Sequence, residues 1–260
     1  MDNPSYGAGI RTFLIADVRG YTAFTQARGD EAAALLASKF ADIAREGVEA
    51  HGGEVIELRG DEALAVFTSA REAVRSAVAL QQVYADELDL DPTLPLRVGI
   101  GLDAGEAVPV DGGYRGGALN LAARLCSQAR AGEVLVSQGV THLARALDGI
   151  TLYDHGTVEL KGLSEPVRVH LAAPEGIDPE LMTTRLELDG REPVTRSELP
   201  SALDPITPIV GRESEIRRLR WAWRAARRGN ARPQVIVGLS GIGKTRLSAE
   251  VASTAAENGA

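Results

Sequence analysis

Glu54-Val55-Ile56-Glu57-Leu58-Arg59-Gly60-Asp61-Glu62-Ala63-Leu64-Ala65-Val66-Phe67 is the stretch whose reading decides the fold. Strand-forming residues stand on both sides of Arg59-Gly60: Val55, Ile56 and Leu58 before it, Leu64, Val66 and Phe67 after it. The segment therefore reads as a β-hairpin with a tight turn at Arg59-Gly60. Its tip presents Asp61, where a carboxylate can reach a ligand. A second carboxylate, Asp17, ends the apolar run Thr12-Phe13-Leu14-Ile15-Ala16. Two acidic residues at strand ends suit a divalent cation in phosphate chemistry, because Mg²⁺ takes one or two carboxylates and adds phosphate oxygens.

Around this hairpin the chain alternates strand and helix signals. A first strand spans 11–17. Residues 31–49 carry Leu35, Leu36, Phe40 and Ile43 on a helical period, with Asp30 as the expected N-cap and His51-Gly52-Gly53 as the stop. A second helix follows the hairpin over 69–88, with Ala73, Val74, Ala77, Leu80 and Val83/Tyr84 inward. After a proline-bearing loop, 96–102 and 106–110 read as another hairpin. Helices over 116–129 and 138–147 and strands at 134–136, 151–159 and 167–172 follow. The first part is β-α-β-β-α-β, the ferredoxin-like pattern of an α+β domain, which the later elements extend.

Three segments, Phe13-Leu14-Ile15-Ala16-Asp17-Val18-Arg19-Gly20-Tyr21-Thr22, Arg59-Gly60-Asp61 and Ala118-Leu119-Asn120-Leu121-Ala122-Ala123-Arg124-Leu125, resemble in order and spacing the class III nucleotidyl cyclases, the adenylyl and guanylyl cyclase catalytic domains. The resemblance covers about 10–172. It implies formation of a 3′,5′-cyclic nucleotide and pyrophosphate from a nucleoside triphosphate, at sites shared across a homodimer, in signal transduction. By resemblance, Asp17, Asp61 and the Val18 carbonyl hold two Mg²⁺ or Mn²⁺ per site. Asn120 orients the ribose, Arg124 stabilises transition-state charge, and Lys161 contacts phosphate. Asn120 and Arg124, four apart, share one helix face.

The base-specifying positions depart from the adenylyl pattern. Adenylyl cyclases place a lysine four residues before the second metal Asp, and an Asp or Thr seven before the Asn. Here those positions hold Glu57 and Gly113. Glu57 suits the N1–H and N2–H₂ of guanine, whereas Gly113 offers nothing to read O6; Asp111 is close enough to substitute in a shifted loop. ATP versus GTP stays open. So does the alternative, a catalytically degenerate cyclase-fold sensor or dimerisation module regulating a C-terminal ATPase or transcription-regulator region.

Residues 173–208 carry Pro174, Pro179, Pro193, Pro200, Pro205 and Pro208 among acidic residues and read as a linker. Within it, 181–188 reads as a short strand or helix. Residues 211–232 hold eight Arg against two Glu; an amphipathic helix with solvated arginines is favoured over an anion-binding surface. Gln234-Val235-Ile236-Val237 reads as a buried-type strand. It leads into Gly238-Leu239-Ser240-Gly241-Ile242-Gly243-Lys244-Thr245, a phosphate-binding loop pattern followed by a helix over 246–257. Glycines Gly238, Gly241 and Gly243 let backbone N–H groups wrap phosphates, Lys244 reaches the β/γ-phosphates and Thr245 ligates Mg²⁺. The region 209–260 resembles the start of a signalling P-loop ATPase of the AAA/STAND kind, so a longer parent polypeptide is expected.

The bulk properties set outer bounds. The 260 residues, 44% hydrophobic and 25% charged, are enough for one large or two smaller globular domains. A net charge of −8 argues against an overall nucleic-acid or membrane-surface binder. Any nucleic-acid contact is expected only through regions beyond this chain. A single cysteine, Cys126, precludes an intramolecular disulfide, and no apolar run approaches the roughly 20 residues of a membrane span. A cytoplasmic location and a disordered lead over 1–9 are expected.

Overall fold

The computed structural model describes residues 9–91, 93–110, 113–160, 165–177, 209, 211–227, 233–239 and 241–257. The chain divides into two compact units, Met1–Asp189 and Gly190–Ala260. In the first, chain order is β1 (Gly9–Val18), α1 (Tyr21–Arg28), α2 (Asp30–Glu49), β2 (Glu54–Arg59), β3 (Glu62–Phe67) and α3 (Ala70–Leu90). Then come β4 (Val98–Val110), β5 (Gly113–Arg115), α4 (Gly117–Gln128), β6 (Val134–Ser137), α5 (Gln138–Ala144), β7 (Ile150–Val158) and β8 (Val167–Pro174).

The strands form one sheet in the order β2-β3-β1-β4-β6-β8-β7, with β5 paired to β4. β1 lies between antiparallel partners β3 and β4, and β4 pairs with β6 in parallel. Its run Thr12–Ala16 is buried without alternation because helices cover both faces of the sheet. Phe13 and Ile15 pack with Ala118, Ala122 and Cys126 of α4. On α3, Ser69 supplies the N-cap, its Oγ accepting from the Glu72 N–H at 3.3 Å.

The α+β, ferredoxin-like expectation holds, with differences that each have a cause. The turn sits at Gly60-Asp61, with Gly60 at φ 56°, and Arg59 closes β2 opposite Glu62. The expected hairpin over 96–110 is instead one continuous 13-residue strand, β4. It pairs with β1 from Gly9↔Ala107 to Val18↔Val98, so the turn-like Asp103-Ala104-Gly105 stays extended. Gly101 on this strand has a packing reason. A Cβ there would lie inside contact distance of Cys126 N and Ala122 O and 2.7 Å from Cys126 Cα, so only glycine lets α4 settle on β4.

The N-cap of α2 is Gly29 at φ 85°, and Asp30 is its first helical residue. The short helix α1, with no buried residue, gave the sequence reading no apolar stripe to find. β8 runs on to Pro174, past the expected linker start, because Pro174 pairs with Ile150. The expected element at 181–188 lies outside the described residues.

In the second unit, α6 (Glu213–Arg227) and α7 (Lys244–Glu257) are helical as expected. Residues 233–239 form no strand, and Val235 and Val237 are 82% and 88% exposed. A parallel strand needs ladder partners on its edges, and none appears among the described residues of this unit.

Candidate functional site

Two backbone connections bring the expected carboxylates together. Asp17 ends the ladder of β1 with β3, directly opposite Glu62. One residue on, the Val18 N–H donates to the Asp61 carbonyl at 2.9 Å, so the hairpin tip is tied to the end of β1. Burial holds the Asp17 carboxyl above its ordinary value of 3.8; Arg19 opposes the shift, and the nearby Asp61 and Glu62 carboxylates add to it.

A crowd of carboxylates at a strand end is a donor set for a hard dication, which relieves their repulsion. No group of three or more His, Cys, Asp or Glu side chains among the described residues could hold an ion by itself. The set therefore fits a cation whose shell is completed by phosphate oxygens and water.

Arg19, two residues beyond Asp17, was not singled out from the sequence although it stands inside the quoted motif. Its Nη1 donates to Asp17 Oδ2, its Nε to Ala129 O at 3.0 Å and its Nη2 to Cys126 O. Its partners on α4 are 107 and 110 residues away, so no local pattern announces them.

The second expected group sits on α4. Ala118, Ala122, Leu125 and Cys126 face the sheet, leaving Asn120 exposed and Arg124 half-buried on the outer side. Glu57 lies on β2 with its carboxylate engaged: Arg59 Nε donates to Glu57 Oε1 at 2.5 Å, with Glu57 42% and Arg59 69% exposed. Gly113 starts β5, and a Cβ there would touch Ile56 Cγ2 at 3.9 Å, beside Glu57. The two positions expected to specify the base thus lie on adjoining segments, and a Cβ at 113 would make only an ordinary van der Waals contact. Lys161 and Asp111 lie outside the described residues.

On the flank of α4 a cavity of about 410 Å³ is lined by Asp103, Leu121, Ser137, Gln138, Glu165 and Arg168, among others. It includes none of the expected site residues. Asp103 accepts a hydrogen bond from Ser137 Oγ, and burial raises its carboxyl above the usual range.

In the second unit the loop before α7 has Gly241 at φ 79° and Gly243 at φ 96°. Lys244 Nζ donates to the carbonyls of Gly238 and Leu239 at 2.9 and 2.8 Å, across the loop it belongs to. Thr245 is exposed in the first turn of α7, where backbone N–H groups favour an anion.

Residues 208–260 match the family described as AAA ATPase domain. Over 169 residues the chain is 31% identical to putative adenylate cyclase 3 of Rhizobium meliloti, covering 64% of this chain and 28% of that protein. The chain therefore spans well under two thirds of that relative. Among solved structures, an adenylate/guanylate cyclase/hydrolase from Silicibacter pomeroyi superposes with a TM-score of 0.57 at 26% identity, over 65% of this chain and 99% of the other. The adenylyl cyclase CyaB of P. aeruginosa superposes with a TM-score of 0.55 at 24% identity, over 64% and 94%. The first unit has the class III adenylyl/guanylyl cyclase fold, and an AAA ATPase region follows it.

Proposed function

From the class III cyclase fold of the first unit, we propose that the chain forms a 3′,5′-cyclic nucleotide and pyrophosphate from a nucleoside triphosphate, at two sites shared across a homodimer. The observation that carries this reading is the Val18–Asp61 backbone bond, which sets Asp17 and Asp61 side by side at one strand end. Their carboxylates, with the Val18 carbonyl, would hold two divalent cations, Mg²⁺ or Mn²⁺. When bound, the cations activate the ribose 3′-hydroxyl and neutralise the triphosphate.

The 3′-oxygen attacks the α-phosphorus and the bond to the β-phosphate breaks. Asn120 orients the ribose, and Arg124, one turn on, donates to the charge that develops on the α-phosphate. Lys161 is assigned to the leaving phosphates. In a two-fold dimer one chain supplies Asp17 and Asp61 to a site whose Asn120 and Arg124 come from the other, so both sites are complete in a homodimer.

The second unit, through Gly238, Gly241, Gly243, Lys244 and Thr245, would take ATP with Mg²⁺ and couple nucleotide state to the cyclase. That both units work inside the cell, away from any membrane, is part of this proposal. Among the described residues no helix is long and apolar enough to cross a membrane.

One observation favours a second reading, a non-catalytic sensor of the same fold that regulates the ATPase or a transcription-regulating region. Gly113 presents no side chain to a base, and the Glu57 carboxylate is already held by Arg59.

Incubation with ATP and with GTP plus Mn²⁺, with the product identified by mass spectrometry, separates the two. Cyclic nucleotide is expected from the native chain and nearly none from Asp17→Ala or Asp61→Ala, which remove a strand-end and a turn carboxylate while leaving the apolar core untouched. Product undiminished in either variant overturns the metal assignment, and no product from the native chain with either nucleotide leaves the sensor reading.

A further inference from the structure

We propose that Arg19 is a positioning residue that ties the Asp17 carboxylate to the carboxyl end of α4, the helix bearing Asn120 and Arg124. The proposal rests on the shared-site reading for its functional meaning, though not for its geometry.

The side chain leaves the end of β1 and is three-quarters buried; its exposure is 26%. One nitrogen of the guanidinium serves Asp17, and the other two serve Cys126 O and Ala129 O. Those carbonyls lie in the last turn and the C-cap of α4, where a cation is favoured; Cys126 O also accepts from the Ala129 N–H at 3.1 Å. The route is cleared by Gly99 on β4. A Cβ at that position would lie 2.6 Å from Arg19 Nε and 2.8 Å from Ala129 O, and closer still to Nη2. Glycine at 99 is what lets the guanidinium pass between β4 and α4.

Only a planar fork serves three acceptors in these directions; a lysine ammonium in its place can satisfy the carboxylate but not both carbonyls. Arg19 therefore does two separable things. It is a fixed counter-charge beside Asp17, competing with a divalent cation for that carboxylate. It also fixes where α4 ends, and through the helix the placement of Asn120 and Arg124. In the two-fold dimer, a chain gives its carboxylates to one site and its α4 to the other. Arg19 then links the two sites through a single side chain.

The test measures Mn²⁺ binding by electron paramagnetic resonance without nucleotide, and amide hydrogen exchange over 123–129, on the purified full chain. Arg19→Gln is expected to bind Mn²⁺ about five-fold more tightly, since a neighbouring positive charge is gone from a partly screened site. Its α4 amides should exchange about ten-fold faster as the end of the helix opens more often. Arg19→Lys should keep Mn²⁺ affinity within about two-fold of native yet show the faster exchange.

A purely structural role would weaken Mn²⁺ binding along with the melting temperature. Affinity unchanged or weaker in folded Arg19→Gln, or native exchange in α4, overturns the proposal. If Arg19→Gln does not fold, the exchange rate of Arg19→Lys decides alone. The exchange readout judges Arg19 whatever becomes of the cyclase reading; the Mn²⁺ readout rests on the metal site, and where native protein shows no Mn²⁺ binding that Asp17→Ala removes, the exchange rates of both variants decide alone.

Discussion

Replacing Gly101 with alanine should unseat α4, and the size of the effect follows from the packing. The new Cβ would overlap Cys126 N and Ala122 O and lie 2.7 Å from Cys126 Cα. All three are helix backbone atoms, which cannot rotate away as a side-chain tip can, so relief requires β4 and α4 to separate. The interface that must open holds Phe13, Ile15, Ala118, Ala122 and Cys126, all buried. Overpacking of a dense core against backbone costs about 1–3 kcal/mol, and the threefold overlap argues for about 3. For a unit of this size that lowers the melting temperature by about 6–12 °C.

Gly117→Ala is the matched control. A Cβ there meets nothing within 4 Å, at the exposed start of the same helix. Alanine should be neutral or stabilise by up to about 1 kcal/mol through helix propensity. Thermal melts followed by circular dichroism compare the two. Gly101→Ala melting within 2 °C or so of native, or no lower than Gly117→Ala, would falsify this account of how α4 is seated.

Three further outcomes are expected. Asp61→Ala and Arg124→Ala chains should each be inactive alone, and an equal mixture should regain up to about a quarter of native activity, since about half the dimers are mixed and each has one of two sites intact; no recovery despite demonstrated subunit exchange would place each site within one chain. Native protein should prefer GTP or discriminate weakly, and Glu57→Lys with Gly113→Asp should move preference toward ATP in competition assays; a strong native preference for ATP would contradict the role given to these positions.

Metal affinity should fall as pH falls through the Asp17 pKa, which lies above 3.8, because only the carboxylate binds. The same raised value makes the metal-free fold less stable as pH rises from 3.8 through it, the folded state holding the proton longer. Mn²⁺ titrations check the first statement and melts of native protein against Asp17→Asn isolate the second; Mn²⁺ affinity that does not weaken as pH falls across that range would refute the assignment.

Local signals carried the first half of the fold. An apolar run marked β1, strand-forming residues marked β2 and β3, helical periods marked α2 and α3, and glycine at 52 and 60 supplied the left-handed turns after α2 and β2. Legibility failed where the deciding partner is distant. Asp103-Ala104-Gly105 has turn composition, yet Asp103 is buried against a hydroxyl 34 residues away. α1 buries none of its residues, so it has no periodic face to read.

At the candidate site the residue types at 17, 61, 120 and 124 could be picked from motif spacing. The engagement of Asp17 by Arg19, and of Glu57 by Arg59, could not, because spacing carries no rotamer. The strand before the phosphate-binding loop was read from composition, and composition says nothing about whether a neighbouring strand exists.

The lone thiol gives α4 a chemical clock. Cys126 Sγ is buried, 3.4 Å from Gly99 O and 3.7 Å from Arg19 Nη2, and burial pushes its pKa up to about 12. Nucleophilic attack needs the thiolate, so alkylating reagents and peroxide should find nothing to react with while the helix is docked. Each labelling event then records an opening of α4. With no second cysteine in the chain to confuse the signal, the rate of adduct formation counts how often the helix bearing Asn120 and Arg124 comes loose.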